Sequence, residues 1–424
     1  MLKTLLAQVK QYKKSSLLTP LFAALEVVME VLIPFITAMI IDQGIEAGNM
    51  KKVGLYGSIM LVFAMFSLLF GVLAGKYGAN ASSGLACNLR DAMYENIQTF
   101  SFSNIDKYST AGLVTRMTTD VTNVQNAYQM ILRIAVRAPF TLICSMIMCF
   151  VINAKLSLIF VIAIIVLGAF IVVVVKTTMK IFDMVFKKYD ALNASVQENV
   201  SAIRVVKAFV REDYENKKFI TAAENVYKLF VKAEGILAFN GPVMMLVVYF
   251  CIICLSWFGA KFIVVGNMTT GELTSMFSYI MSILMALMML SMIFVMTTLS
   301  IASGKRIAEV LNDKADLVNP KNPIMEVKNG SIDFNHVEFT YNDEAEKDTL
   351  IDIDLHIHSG ETVGIIGGTG CGKSSLVNLI SRLYDVNEGS VLVGGKDVKE
   401  YDLEVLRNQV AVVLQKNVLF SGTI

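Results

Sequence analysis

The hydropathy pattern along the chain predicts six membrane-spanning helices within its first 300 residues. A helix needs about 20 mostly apolar residues to cross a bilayer. Six segments meet this requirement, namely residues 17–41, 55–78, 136–153, 156–176, 241–265 and 275–300. The connections after the second and fourth segments are long but contain few helix breakers. We therefore expect these membrane helices to continue well beyond the bilayer.

A short amphipathic segment, residues 1–15, precedes the first span. Leu2, Leu5, Leu6 and Val9 share one helical face, and lysines occupy other positions. This pattern is typical of a helix that lies in the headgroup region of a membrane. An ordinary solvated helix end is the alternative interpretation.

Positive charge is concentrated in the two long connections between spans. Residues 79–135 contain four Lys or Arg and residues 177–240 contain ten, whereas the three short connections together contain three. Lys and Arg are enriched on the cytoplasmic side of membrane proteins. The bias predicts a multi-pass protein of the plasma membrane, with both chain ends and everything after the last span in the cytoplasm.

The period of the pattern changes after the last span, and we place the membrane domain at 16–318. A proline-containing linker follows at 319–329, and residues 330–424 show the alternation typical of strands. Four elements are predicted there: a half-buried strand with Ile332, Phe334 and His336 on one face, a second alternating strand from Leu350 to His358, a short buried strand from Thr362 to Ile366, and a helix from Ser374 to Leu383.

A glycine-rich loop lies between the third of these strands and the helix. Its residues fit the phosphate-loop pattern G-x-x-x-x-G-K-[ST] and are Gly367, Gly368, Thr369, Gly370, Cys371, Gly372, Lys373 and Ser374. Glycine lets the backbone N–H groups approach a phosphate closely, and the helix start adds its positive dipole end. We expect Lys373 to reach the β- and γ-phosphates and the Ser374 hydroxyl to bind Mg²⁺. The predicted ATP site extends to Ser375.

Composition supports a membrane protein and argues against two other classes. The chain of 424 residues is 55% hydrophobic and only 17% charged, against about 25% charged in soluble domains. A net charge of +1 gives no indication of a nucleic-acid partner. Most of the six cysteines lie in apolar runs. We therefore interpret Cys251 and Cys254 as small apolar residues rather than metal ligands.

Two features of the spans are open to more than one interpretation. Glu26 and Glu30 lie one helical turn apart within the first span. They are either cavity acids that attract cationic cargo or a helix-packing contact. A methionine stripe on the last span suits a promiscuous pocket, although lipid-facing or core filler is favoured. Its members are Met281, Met285, Met288, Met292 and Met296.

The order of these elements, together with several motifs, resembles the half-transporters of the type I ATP-binding cassette exporter family, and is similar to the bacterial multidrug exporters. The resemblance covers essentially the whole chain and rests on several matching stretches. They are Gly112-x-x-x-Arg116-x-x-x-Asp120, Arg204-Val205-Val206-Lys207-Ala208-Phe209, Phe339-Thr340-Tyr341, and Val413-Leu414-Gln415 followed by Val418-Leu419-Phe420.

The resemblance implies a membrane all-α domain of six helices with long cytoplasmic extensions, followed by a partial α/β P-loop nucleotide-binding domain. By the resemblance Tyr341 stacks on adenine, and Gln415 contacts Mg²⁺ or the attacking water. Segments near 108–112 and 207–212 would couple nucleotide state to the spans. The implied function is ATP-driven export of small amphipathic or lipophilic compounds by a dimer, either of two identical halves or of two different ones.

One departure from the family pattern qualifies this interpretation. The family's signature segment, catalytic carboxylate and switch histidine lie beyond Gln415, and His336, His356 and His358 all precede the phosphate loop. We therefore expect the 424-residue chain to bind nucleotide without hydrolysing it, and assign ATP hydrolysis to a full-length protein. The alternatives are the non-hydrolytic half of a heterodimer and an inert truncated fragment.

Overall fold

The computed structural model describes residues 1–341 and 348–413. The chain divides into two compact units. The first comprises Met1–Thr4, Leu89–Val121 and Lys305–Ile424, and the second comprises Leu5–Asn88 and Thr122–Gly304. We refer to them as the sheet unit and the membrane unit, and describe each by itself.

Eleven α-helices precede the linker in the described part of the chain. They are α1 (Leu2–Ala7), α2 (Lys13–Ile40), α3 (Met50–Thr99), α4 (Phe102–Tyr108), α5 (Thr110–Thr115), α6 (Val121–Ile152), α7 (Ala154–Ser201), α8 (Ile203–Ala208), α9 (Glu212–Ala238), α10 (Asn240–Val264) and α11 (Thr270–Asn312). Short π-helical segments follow α2 at Ile41–Glu46 and α5 at Arg116–Asp120.

Six helical runs in the described residues are long and apolar enough to cross a membrane, as the sequence predicts. The long extensions are confirmed too, since α3 has 50 residues and α7 has 48. At 1.5 Å per residue, α3 is about 75 Å long, more than twice the thickness of a hydrocarbon core. The chain turns near Ser109 and Val210, whose φ angles are 56° and 51°. Both turns lie in the segments near 108–112 and 207–212 that the resemblance associates with coupling.

The N-terminal segment is less regular than its pattern suggests. Helix α1 ends at Ala7, and a 3₁₀ turn at Lys10–Tyr12 follows it. Leu5 and Val9 are buried, whereas Leu2 and Leu6 are exposed. Leu2, Leu5 and Leu6 lie within α1 and Val9 follows it, and the interfacial position of residues 1–15 stays a prediction.

The core of the membrane unit joins five helices. Val27 of α2, Cys149 of α6, Phe160 of α7, Met244 of α10 and Tyr279 of α11 are all at most 1% exposed and belong to one apolar cluster. The methionine stripe lies largely outside this core. Four of its members, Met281, Met285, Met292 and Met296, are exposed, so they do not fill the core of this unit.

A line of hydrogen bonds joins α11 to α2 and the π-helical segment after it. Tyr279 Oη donates to the carbonyl of Val31 at 2.7 Å, and Ser275 Oγ donates to that of Pro34 at 2.5 Å. One turn earlier in α11, the N–H of Gly271 donates to Asp42 Oδ1 at 2.8 Å. The donors are four residues apart, so they lie along one face of α11.

The sheet unit contains a four-stranded antiparallel sheet with the order β2-β1-β3-β4. The strands are β1 (Ile332–Phe339), β2 (Leu350–Ile357), β3 (Glu388–Val393) and β4 (Lys396–Asp397), and helices α12 (Lys373–Ile380) and α13 (Leu403–Gln409) accompany them. Leu376 and Leu379 of α12 join the apolar core that the sheet forms around Phe334. This packing fixes the position of α12, whose first residue is Lys373.

Two details of the predicted alternation in the strands are wrong. His336 has a φ of 49° and an exposed side chain, and the pairing register shifts between Phe334 and Val337. The extra residue at this bulge exchanges the inward and outward positions in the second half of β1. Val337 and Phe339 are therefore buried there instead of His336. In β2 the alternation breaks at the start of the strand, because Leu350 is buried and Ile351 is 63% exposed, whereas Ile353 and Leu355 pack against the core.

The third predicted strand does not form. Residues 362–366 pair with none of the described strands, and Ile366 is 98% exposed. An apolar run becomes a buried strand only where neighbouring strands pair with it and a second layer covers it, and periodicity does not test either condition. Residues 410–413 likewise pair with none of the described strands. Helix α12 is also shorter than the predicted range of 374–383, because it ends at Ile380.

Candidate functional site

The glycine-rich loop adopts a conformation that depends on its glycines. Gly370 and Gly372 have φ angles of 85° and 86° in the left-handed region, which side chains disfavour. A Cβ atom at Gly372 would also lie 2.7 Å from Leu350 Cδ2 and 3.1 Å from the carbonyl oxygen of Thr349. The path of the loop against β2 therefore requires glycine at position 372.

The Lys373 side chain folds back over the loop. Its Nζ donates to the carbonyl oxygens of Gly367 and Gly368 at 2.8 and 2.7 Å, and Cys371 Sγ lies 3.5 Å away. The ammonium group thus sits where the loop meets the first turn of α12, which carries the positive end of the helix dipole. This arrangement concentrates positive charge where a phosphate group would bind.

The two serines that follow Lys373 have different surroundings. Ser374 is exposed, whereas Ser375 is 6% exposed and its Oγ lies 2.9 Å from the Tyr341 hydroxyl. Mg²⁺ prefers oxygen ligands and is usually bound by one or two protein oxygens together with waters and substrate phosphates. The exposed Ser374 hydroxyl is suited to be such a protein ligand. In the part of the chain that the structure describes, no group of His, Cys, Asp and Glu has the arrangement of a metal site.

Tyr341 lies beside the loop although it is far from it in sequence. Its ring is 49% exposed and makes edge contacts with Phe339 and Tyr384, with centroid distances of 4.8 and 5.1 Å. Its hydroxyl contacts Ser375, as described above. The structure thus brings together the phosphate-loop residues and the aromatic residue predicted to stack on adenine.

Gln415, predicted to contact Mg²⁺ or the attacking water, lies outside the described residues. Its role therefore stays a prediction.

Tyr384 also belongs to this region, although the sequence gives no prediction for it. Its hydroxyl donates to Asp106 Oδ2 of α4 at 2.7 Å. Burial and then this hydrogen bond raise the pKa of the Tyr384 phenol, so it stays protonated and able to donate. No local pattern marks this residue, because its partners are distant in the chain.

The two acids of the first span have a partner in α6. Arg137 Nη1 lies 2.7 Å from Glu26 Oε1, and Arg137 Nη2 lies 2.8 Å from Glu30 Oε1. Gly71 of α3 makes room for Glu26, because a Cβ atom there would lie 2.9 Å from Glu26 Oε1. Arg137 lies within a predicted span, and no sequence motif marks it as a partner of the two acids. These contacts favour the helix-packing interpretation of the two acids.

Comparisons with known proteins agree with this architecture. Residues 16–288 match the model of the ABC transporter transmembrane region, and residues 350–424 match that of the ABC transporter family. The uncharacterized ABC transporter ATP-binding protein YfiB of Bacillus subtilis is 34% identical over 94% of this chain and 69% of its own length.

Two further relatives come from other bacteria. An uncharacterized ABC transporter ATP-binding protein of Mycobacterium tuberculosis is 32% identical over 100% of this chain and 73% of its own length. An ATP-dependent lipid A-core flippase of Hahella chejuensis is 28% identical over 86% of this chain and 62% of its own length.

Six membrane helices followed by a sheet-containing ATP-binding region define an ABC exporter half. The chain belongs to the ABC transporter family, as a half-transporter of the type I exporter class.

Proposed function

We propose that this half-transporter couples ATP binding and hydrolysis in a dimer to the export of small amphipathic or lipophilic compounds. The observation that carries the proposal is the position of Lys373, at the start of α12 and folded over a glycine loop beside Tyr341. Family membership supports ATPase activity coupled to transport.

Each residue of the site has a proposed role. The N–H groups of the loop bind the β-phosphate, and Lys373 exchanges the two glycine carbonyls for β- and γ-phosphate oxygens. Ser374 binds Mg²⁺, and Tyr341 stacks on the adenine ring. Gln415 contacts Mg²⁺ or the attacking water.

A second half-transporter is the proposed partner, and the surface around α8 supports it. No residue of α8 is buried. Phe209 and Val210, which follow it, are 72% and 81% exposed. A groove of about 570 Å³ beside α8 is lined in part by Val205, Phe209 and Tyr214. Large apolar side chains exposed together on a cytoplasmic extension indicate a protein interface.

The proposed orientation places both chain ends and the ATP-binding region in the cytoplasm of a plasma-membrane protein, since the Lys and Arg bias favours it. We also propose the domain boundaries of the sequence analysis: an interfacial segment to residue 15, a membrane domain to 318, a linker to 329 and an ATP-binding region beyond it. The flippase relatives are named for moving lipid A-core, which supports an amphipathic cargo.

Photolabelling with 8-azido-ATP tests the nucleotide site. Lys373→Ala removes the ammonium group that faces the phosphates, so we expect labelling to fall at least about tenfold at subsaturating nucleotide. Lys396→Ala, at an exposed position in β4, is the matched control and should label like the wild type. Equal labelling of Lys373→Ala and wild type would contradict the proposal.

A further inference from the structure

A groove of about 290 Å³ lies between α7 and α10 on the surface of the membrane unit. On α7 its lining positions begin at Ile159 and follow the spacing of one helix face, and those on α10 do the same. The lining residues are all apolar. Ile162, Val166 and Phe250 are exposed, whereas Cys251 belongs to the buried core beneath them. Such a groove offers nothing to a polar ligand and is suited to a hydrocarbon chain.

The groove continues along α10 towards the C-terminal end of that helix. Leu246 lines the groove, and Ile253 and Trp257 follow it at intervals of seven and four positions, so the three residues share one face of α10. A wider depression of about 710 Å³ lies along this stretch, and its lining includes Trp257 and Lys261. The apolar groove therefore leads to a site that carries a cation.

The ammonium group of Lys261 is available to an anion. It lies 5.3 Å from the centroid of the Trp257 ring, one helical turn away. Among the residues that the structure describes, no carboxylate forms an ion pair with it. Both side chains are exposed. An anionic group can therefore bind Lys261 without displacing a protein partner.

The distance from the groove to this lysine matches the thickness of one bilayer leaflet. Leu246 and Lys261 are 15 residues apart in α10, or about 22 Å along the helix axis. Half of a bilayer, with its headgroups, is about 20–22 Å thick. Tryptophan is enriched at the level of the headgroups. A lipid whose acyl chain fills the groove thus has its phosphate at the level of Lys261.

We propose that this groove and Lys261 form a binding site for one phospholipid with an anionic headgroup. The acyl chain lies between α7 and α10, the glycerol backbone lies beside Trp257, and Lys261 binds the phosphate. A zwitterionic headgroup brings its own cation, which Lys261 repels, so the site favours anionic lipids. Its residues all belong to the membrane unit, and binding needs no nucleotide. The inference therefore does not depend on the proposed function.

Quenching of Trp257 fluorescence by brominated lipids tests this site on the full chain in vesicles. Trp257 is the single tryptophan of the sequence, so the signal comes from this site alone. Each brominated lipid is diluted into unbrominated phosphatidylcholine. We expect brominated phosphatidylglycerol to reach half-maximal quenching at a mole fraction about fivefold lower than brominated phosphatidylcholine. Equal mole fractions would contradict the inference. Absence of quenching by both lipids would also contradict it, because a second chain would then cover the groove.

Lys261→Gln removes the charge and keeps a long polar side chain. We expect the preference for phosphatidylglycerol to fall below about twofold, while quenching by phosphatidylcholine stays unchanged. Lys51→Gln is the matched control, because it removes the same charge from an exposed lysine in the first turn of α3. It should keep the fivefold preference. If both variants lose it, the selectivity comes from the general surface charge and there is no site at Lys261.

Inorganic phosphate distinguishes a lipid site from a site for free phosphate. It carries the anionic group without an acyl chain, so millimolar concentrations should leave quenching by brominated phosphatidylglycerol unchanged. If phosphate displaces the lipid, the groove contributes nothing to binding and the assignment to a phospholipid is wrong.

Discussion

Helices α4 and α8 are short helices at the turns of the two long extensions, and they differ in how they are held. Helix α4 has seven residues, and both Tyr384 and the segment after α11 hold it in place. Helix α8 has six residues, none of them buried, and Phe209 beside it is 72% exposed. Two helices at equivalent turns can therefore differ completely in what they contact. We infer that α4 binds its own chain and that α8 binds a second one.

The largest expected effect comes from breaking the ion pair between Arg306 in α11 and Asp120 in the π-helical segment before α6. Arg306 binds Asp120, which is 1% exposed, through two contacts of 2.7 and 2.5 Å. Arg306→Ala removes the guanidinium that makes both of these contacts with the buried carboxylate. We expect a loss of about 3 kcal/mol, the low end for a broken buried pair because the guanidinium is half exposed. Thermal unfolding in detergent, followed with a thiol-reactive dye, measures it.

Lys228→Ala is the control for this change, because it removes an exposed ion pair within α9. Such a pair contributes under about 0.5 kcal/mol. If both variants unfold at the same temperature, Asp120 does not depend on Arg306. If Arg306→Ala unfolds at a lower temperature than wild type, its α4 backbone amides should also exchange hydrogen faster than those of wild type.

A smaller effect is expected at α8, and on association rather than on stability. Phe209→Ala removes an exposed ring, so the unfolding temperature of the half should not change. If the ring packs on a second chain, the dissociation constant of the dimer should rise about tenfold. Analytical ultracentrifugation in detergent measures it. Phe102→Ala on α4 should leave the dimer unchanged, and equal weakening by both variants would remove the distinction between the two helices.

The smallest effect concerns pH. Hydrogen bonds from Tyr108 and then Lys107 hold the pKa of Asp313 below its usual 3.8. A carboxyl with a lowered folded pKa contributes stability above its ordinary pKa, and this contribution is lost as the pH falls through the folded value. Exchange of α4, corrected for intrinsic rates, should therefore accelerate below about pH 4, by an amount worth less than about 1 kcal/mol.

Asp313→Asn provides the control for the pH effect, because it cannot titrate. Its α4 exchange should be faster than that of wild type at neutral pH and should show no further acceleration in this range. An acceleration of the same size in both proteins would assign the pH dependence to another group.

Features encoded in contiguous residues could be predicted from the sequence, and features that depend on distant partners could not. The six spans and the loop before Lys373 follow from local pattern. The contacts of Arg137 with Glu26 and of Tyr384 with Asp106 do not, because they join residues more than 100 positions apart. The bulge at His336 follows from pairing with β2 and β3, which alternation within β1 does not describe.

The hairpin of β3 and β4 was also missed, although it had a local signal. Gly394 and Gly395 both have positive φ angles, as a tight two-residue turn between antiparallel strands requires. The strand expected at 362–366 failed for the opposite reason. Its composition was suitable, but no described strand lies beside it.

The line of hydrogen bonds between α2 and α11 limits the ways in which these helices can move. A Cβ atom at Gly271 would lie 2.5 Å from the carbonyl oxygen of Ala38, so only glycine permits this approach. Sliding α11 by one turn would place Ser275 there, and rotating it would break the contacts of Ser275 and Tyr279 together. Sliding or rotating α11 against α2 therefore breaks these hydrogen bonds or brings side chains into the space that Gly271 leaves open.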